Sequence, residues 1–123
     1  MPGPIFAVWL KIVATTVLVS VGATCSVAQS RIALLISNQR YADKVGTLNN
    51  PHNDIELIGK ALQVVGFQTT LVKDAGYKAI DTALRLHIQR VRRAGRDTIS
   101  SVYYSGHGAA NPDTKTNYLI PPM

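Results

Sequence analysis

The sequence predicts an α/β fold: a three-layer sandwich with helices on both faces of a mainly parallel β-sheet. Two observations support this prediction. Short apolar runs of strand length alternate with longer segments in which apolar residues recur every three or four positions, which is typical of parallel strands joined by helical crossovers. Glycine also stands at Gly66 and Gly95, where the two helical patterns stop, and glycine is the residue that most often ends a helix.

The first strand is predicted at Ile32–Ile36, a continuous apolar run typical of a strand buried on both faces. The first helix is predicted to follow Asn50, a good N-cap residue, with Pro51 at its first helical position. We expect Gly66 to end this helix in the left-handed conformation. The predicted buried face consists of apolar residues at helical spacing: Ile55, Ile58, Leu62 and Val65.

The second strand is predicted at Phe67–Lys73 and the second helix at Gly76–Ala94. His87 borders the apolar stripe of this helix, so we expect it to be a packing residue and not a ligand. The predicted buried stripe is Ile80, Leu84, Ile88 and Val91.

The third strand is predicted at Thr98–Ser105, followed by a polar turn at Ala109–Thr116 and a fourth strand at Asn117–Ile120. Right-handed crossovers place strand one between strands two and three. We expect strand four beyond strand three, at an edge. The predicted sheet is incomplete on that side, because an edge strand leaves backbone groups unpaired.

Residues 1–28 have the pattern of a signal peptide. Lys11 is the one charge between Ile5 and Ala28, and the apolar run after it is too short to span a bilayer. Small residues before Gln29 predict cleavage there, giving a mature domain at residues 29–123. We therefore expect export to the periplasm or beyond, without stable membrane insertion after cleavage. The alternative is an uncleaved N-terminal membrane anchor. A lipid-modified Cys25 fits less well, because Gly22 stands where such a signal prefers a larger aliphatic residue.

The charge is basic, with 13 Lys and Arg against 7 Asp and Glu and a net charge of +6. Much of the excess lies on the predicted second helix, without interleaved aromatic residues or a nucleic-acid-binding motif, so we interpret it as a solvated face and expect no nucleic-acid partner. The single cysteine excludes a disulfide within the chain and a cysteine-rich metal site. His52 beside Asp54 offers two ligands, too few for a metal. We expect no metal and no other cofactor.

The strongest candidate site is His107, which stands between Gly106 and Gly108 directly after the third strand. In open α/β sheets the ligand crevice lies at the carboxyl ends of the strands. Imidazole exchanges protons near neutral pH, and flanking glycines allow a substrate backbone to approach. His107 is therefore predicted to be a general acid or base.

Four segments together resemble the caspase-like cysteine peptidases, nearest to the bacterial metacaspase-like members. They are Arg31–Asn38 with Tyr41, Leu48–Asp54, Leu62–Phe67, and Tyr104–Gly108 with Asn117–Pro121. The resemblance covers nearly everything from Arg31 to Pro122, in the family's order and spacing. Two departures are Ser37, where glycine is common, and the pair Ser100 and Ser101, where apolar residues are common.

The resemblance implies an endopeptidase that cleaves peptide or protein substrates with a cysteine–histidine dyad, without a cofactor. It implies that His107 is the catalytic histidine and that the backbone N–H of Gly108 is the oxyanion donor. It further implies that Asp54 lines a pocket for an Arg or Lys side chain of the substrate, with Ser105 beside it. From the residues alone, Asp54 is equally an acidic residue favoured in the first turn of a helix.

The nucleophile is missing from this pattern. In the family signature the cysteine follows the histidine by about 50 residues, whereas Cys25 precedes the first strand and no cysteine follows His107. One reading is the N-terminal part of a caspase-like peptidase domain whose cysteine lies in sequence not present here. The alternative is a non-catalytic interaction module of the same fold. The oligomeric state stays open.

Overall fold

The computed structural model describes residues 28–42 and 44–123. The predicted signal peptide, with Lys11 and Cys25, lies outside these residues except for Ala28. The elements in chain order are β1 (Arg31–Ser37), α1 (Pro51–Val64), β2 (Gln68–Lys73), α2 (Tyr77–Ala94), β3 (Ile99–Ser105), β4 (Gly108–Asn111) and β5 (Thr116–Leu119). Within these residues, neither helix is long and apolar enough to cross a bilayer.

The three main strands form a parallel sheet in the order β2-β1-β3, as predicted. Leu34 in the middle of β1 lies opposite Thr70 of β2 and Val102 of β3. The central position of β1 explains its composition: Ile32 to Ile36 are all at most 4% exposed, because strands flank them on both sides and helices cover both faces.

The helices cover opposite faces, which confirms the three-layer α/β sandwich. Alternate residues of β1 point to opposite faces. Ala33 and Leu35 pack with Ile55 of α1, while Leu34 and Ile36 pack with Ile80 of α2 and with neighbouring apolar residues. The core is therefore two thin apolar layers separated by β1.

Two residues predicted to be buried are exposed. Val65 lies just past the last residue of α1 and is 52% exposed. Ile88 of α2 is 48% exposed, while the adjacent His87 is 5% exposed. His87 points at the sheet and lies 2.8 Å from the Oγ atom of Ser100 on β3. The buried His87 therefore has a hydrogen-bond partner at Nε2, whereas its Nδ1 atom is buried without a partner among the described residues. Ser100 itself is exposed.

The prediction for the fourth strand is partly wrong. A strand forms at Thr116–Leu119, but it pairs antiparallel with β4 in a separate two-stranded sheet and not with β3. The predicted polar turn, Ala109–Thr116, therefore overlaps strand β4, which begins one residue before it at Gly108. The physical reason is connection length, because a parallel return to the main sheet needs a crossover of about a dozen residues or more. The short segment after Ser105 folds back on itself instead, and Asn111 accepts two backbone hydrogen bonds in the turn.

The ends of α1 are as predicted except at the cap itself. Pro51 stands in the first turn and Gly66 has φ +86°, the left-handed conformation. Asn50 stands at the N-cap position, but its side chain makes no capping hydrogen bond. The main sheet has no further strand beyond β2 or β3 within the described residues, so it is incomplete as predicted.

Candidate functional site

The first turn of α1 contacts the carboxyl ends of all three parallel strands. His52 lies 2.7 Å from the Oγ atom of Ser37, the last residue of β1, and 3.0 Å from a carboxylate oxygen of Asp74, just after β2. Asp54 accepts a hydrogen bond of 2.9 Å from Ser105, the last residue of β3. One helical turn therefore fixes the edge of the sheet at which an α/β fold usually binds its ligand.

His107 lies at this edge, two residues after β3, with its ring held from one side. Its Nε2 atom is 2.9 Å from the carbonyl oxygen of Gly46. A carbonyl oxygen only accepts, so Nε2 carries a hydrogen and Nδ1 is the nitrogen that is free to accept a proton when the ring is neutral. Gly46 has φ +88°, a left-handed conformation that glycine adopts without strain and that presents its carbonyl group to the ring.

Two tyrosines hold the main chain around His107. The backbone N–H of His107 donates to the hydroxyl of Tyr41 at 2.9 Å, and the Tyr41 ring meets the imidazole edge-on, with centroids 4.5 Å apart. The hydroxyl of Tyr104 lies 3.1 Å from the Tyr41 hydroxyl and 2.9 Å from the carbonyl oxygen of Ile120. Burial raises the pKa of Tyr104 far above its ordinary value, and its hydrogen bond with Tyr41 raises it further. The Tyr104 phenol therefore stays protonated near neutral pH.

The hydroxyl groups of Tyr41 and Tyr104 approach Gly106 so closely that a side chain does not fit at this position. A Cβ atom at this position would lie 2.5 Å from the Tyr104 hydroxyl and 2.6 Å from the Tyr41 hydroxyl. Both distances are far inside van der Waals contact, so any side chain would displace the tyrosines that hold His107. The first glycine of the Gly-His-Gly sequence therefore has a packing role.

The register of the β4–β5 hairpin determines the direction of the Gly108 N–H. Ile120 donates to the carbonyl oxygen of His107 at 3.0 Å, and Gly108 lies opposite Leu119 in the ladder. Antiparallel ladders alternate between hydrogen-bonded and non-hydrogen-bonded pairs. The pair that follows His107 and Ile120 is therefore non-hydrogen-bonded, and the N–H of the exposed Gly108 points away from β5.

The network that includes His52 and Asp74 was not predicted as a unit. Burial alone would raise the pKa of Asp74, but backbone hydrogen bonds from Gln39 and Arg40 and the ring of His52 outweigh it, so the pKa lies below its ordinary value of 3.8. The ring of His52 lies between two partners, Ser37 and Asp74, in a serine–histidine–aspartate hydrogen-bond network. Ser37 is fully buried, so its hydroxyl cannot contact a substrate. The network instead connects the ends of β1 and β2 through α1.

Sequence reasoning missed Gly46 and Asp74 as parts of the site. Gly46 contributes only a main-chain carbonyl group, and every residue has one. The only signal in the sequence was the glycine, which indicates a possible left-handed turn but not a contact with His107. Asp74 lies in a loop, with φ 47°, and its partners are distant in sequence. Within residues 28–42 and 44–123, no three His, Cys, Asp or Glu side chains cluster in a way that could hold a metal ion.

The fold and the site together define a class of protein, an α/β domain with an oriented histidine at the carboxyl edge of a parallel sheet. Comparison with known families assigns it more closely, because the family model of the caspase domain matches residues 30–122. The chain belongs to this caspase-domain family of peptidases. No curated protein matches the chain.

Proposed function

We propose that this chain is the histidine-bearing part of a cysteine endopeptidase that cleaves peptide or protein substrates. The observation that carries the proposal is the hydrogen bond between His107 Nε2 and the carbonyl oxygen of Gly46, 2.9 Å long. It leaves Nδ1 as the nitrogen that exchanges a proton. A base oriented by a third group in this way is typical of nucleophilic catalysis.

The proposed reaction begins when Nδ1 of His107 takes the proton of a cysteine thiol. The thiolate then attacks the scissile carbonyl carbon, and the backbone N–H of Gly108 stabilises the negative charge on its oxygen. The imidazolium gives its proton to the leaving amine, and the peptide bond breaks. Water, deprotonated by the same imidazole, then hydrolyses the thioester and releases the thiol.

The proposed substrate side chain is Arg or Lys, because the carboxylate of Asp54 would pair with a cation. Ser105 supports this assignment, because its hydroxyl donates to one carboxylate oxygen and leaves the other available. The sulfur must be supplied from elsewhere. Cys25 is the one cysteine of the sequence, and it precedes β1, which begins at the sheet edge opposite His107.

The competing function is a non-catalytic module of the same fold. The observation that favours it is that Tyr41, Tyr104 and Gly46 already engage the main chain and ring of His107, while residues 28–42 and 44–123 contain no cysteine. The proposed localisation is the same in both cases: export by the N-terminal segment, with retention as a membrane anchor as the alternative.

The two functions are separated by assaying fluorogenic Arg and Lys peptides with this chain alone and with this chain followed by a cysteine-bearing segment. We expect no turnover in the first case and thiol-dependent turnover in the second. His107→Ala should then lower kcat/KM by about 10³-fold or more, whereas the control His87→Gln, on the α2 face, should leave it within about twofold. Turnover by the chain alone, lost on His107→Ala, would reject the need for an external thiolate.

A further inference from the structure

The outer edge of β2 presents unpaired main-chain groups. The N–H of Asp74 donates to the carbonyl oxygen of Ser37 at 2.8 Å, so residue 74 points its main chain towards β1. Main-chain groups alternate in direction along a strand. The N–H and C=O groups of Thr69 and Leu71 therefore point away from β1. On that outer side, no strand of the described residues pairs with β2.

This edge also lacks the features that usually prevent strand pairing. Exposed edges are normally blocked by proline, by charged side chains or by a bulge. Residues 68–72 of β2 contain neither a charge nor a proline. The one charge on the strand, Lys73, is paired with Glu56 at 2.6 Å. The edge is therefore open to an added strand.

A cavity lies on each face of the sheet beside this edge. One, of about 330 Å³, lies between α2 and β2 and includes Val72 and Leu86 in its apolar lining. The other, of about 300 Å³, lies between α1 and β2 over Gly59 and Leu71. Because side chains of a strand alternate between the two faces, an added strand would direct successive side chains into the two cavities in turn.

The charges around the cavities indicate the chemistry of the added strand. Arg90 and Arg93 line the α2-side cavity, and Arg90 donates to Thr70 of β2 at 2.6 Å. Within the described part of the chain, neither arginine has a carboxylate within ion-pair distance. On the α1 side, the cavity lining contains both a carboxylate and a cation, Glu56 and Lys60, and Glu56 is also paired with Lys73. An apolar side chain flanked by carboxylates therefore fits the α2 side, and uncharged side chains fit the α1 side.

We propose that the edge of β2 binds an acidic, extended segment of a partner protein by strand addition. Main-chain hydrogen bonds would provide affinity, and the two cavities with the arginines would provide selection. The site lies across β1 from β3, on the far side of the sheet from the strand that leads to His107. Binding there does not depend on a nucleophile and can be tested with the chain as it is.

The probe is a fluorescein-labelled heptapeptide, Thr-Glu-Val-Leu-Val-Glu-Thr, which places Glu, Leu and Glu on one face and Thr and Val on the other. Fluorescence anisotropy should give a Kd tighter than about 1 mM. Arg93→Glu should weaken binding by about fivefold or more. The matched control Arg92→Glu changes the same charge on the adjacent residue, which lines a different cavity with Arg85 and Ile88, and should change the Kd by less than about twofold.

Strand addition is tested by N-methylation of the peptide, which needs no protein variant. A paired strand uses every second N–H, so methylating one alternate set should abolish binding and methylating the other should leave it within about twofold. Equal effects of the two methylated sets would overturn strand addition. Equal effects of the two arginine variants would overturn the proposal in favour of general charge attraction. Sedimentation of the chain with and without the peptide tests for a dimer. A dimer that the peptide dissociates would assign the edge to a second copy of the chain and would also overturn the proposal.

Discussion

The Nε2 atom of His107 and the carbonyl oxygen of Gly46 lie 2.9 Å apart, although 61 positions separate the residues in the sequence. This contact determines which ring nitrogen carries a hydrogen and which is free. It involves a left-handed glycine, and beyond its chain neighbours no heavy atom of residues 28–42 and 44–123 lies within 4 Å of the place where its Cβ would be. The proposed chemistry therefore depends on the backbone of a loop.

Gly46→Ala should disturb His107 at a distance. An alanine at φ +88° costs about 1–2 kcal/mol, and rotation of the peptide that relieves this strain would move the carbonyl oxygen away from Nε2. The ¹⁵N chemical shifts of the ring should then move towards a mixture of the two tautomers. Gly95→Ala is the control, because Gly95 has φ +104° and equally open surroundings beyond the end of α2. If both variants leave the ring shifts unchanged, the carbonyl of Gly46 does not orient His107.

Gly106→Ala should destabilise the fold by overpacking. The added methyl group would lie within 2.6 Å of both phenol oxygens, so we expect a loss of about 2 kcal/mol in the free energy of unfolding. Gly108→Ala is the matched control, because there a Cβ meets only the Tyr118 carbonyl oxygen at 3.4 Å. Urea unfolding measures both. Equal losses for the two variants would contradict the packing role of Gly106.

Asp54→Asn should weaken the binding of a cationic side-chain mimic. The asparagine oxygen can still accept the hydrogen bond from Ser105, so the fold is kept while the negative charge is lost. Benzamidine titrated into the labelled chain should bind about tenfold more weakly to this variant, judged by amide chemical shifts. The control is Glu56→Gln, which removes a carboxylate of the same helix. This carboxylate pairs with Lys73, so its loss should have little effect on the affinity for benzamidine. Unchanged affinity in Asp54→Asn would remove this residue from the proposed pocket.

His87 should make the protein less stable in mild acid. Burial lowers the pKa of His87 below its ordinary value of 6.5, and the nearby charge of Arg90 lowers it further. As the pH falls below about 6.5, the unfolded chain takes up a proton that the folded chain resists, so the free energy of unfolding decreases until the pH is below the folded pKa. The loss amounts to about 1.4 kcal/mol for each unit by which the two pKa values differ.

Urea unfolding of the wild-type chain and of His87→Gln at about pH 7.5 and pH 5.5 measures this effect, since glutamine cannot titrate in this range. The variant should lose part of the pH dependence, and the remainder belongs to the other ionisable groups. The same pH dependence in both proteins would mean that His87 is freely protonated in the fold.

The order β2-β1-β3 and the two-sided burial of β1 were predictable from the sequence. Apolar run length, helical spacing and the handedness of crossovers are local or topological properties, and each is visible in the residues. The position of His107 after β3 was predicted for the same reason. The roles of His107, Gly108, Asp54 and Ser105 stay predictions, although Ser105 does contact Asp54 directly.

The hairpin and the exposure of Ile88 were not predictable in the same way, whereas the packing role of His87 was predicted and is confirmed by its burial. Strand β4 is Gly-Ala-Ala-Asn, which has no alternating pattern and forms because a short segment after β3 can pair only with itself. On α2, His87 is buried in place of Ile88 and lies 2.8 Å from the Oγ atom of Ser100, on a strand paired in parallel with β1. Neither fact depends on the local sequence alone.

The sequence by itself determined the strand and helix order of this protein, because hydrophobic periodicity acts within each segment. Tertiary structure decided which groups meet at the strand ends: the carbonyl of Gly46 on His107, the phenols of Tyr41 and Tyr104 around Gly106, and His52 between Ser37 and Asp74. These contacts join residues far apart in the chain through short hydrogen bonds and close packing. Such distances are set only once the sheet and its loops are assembled.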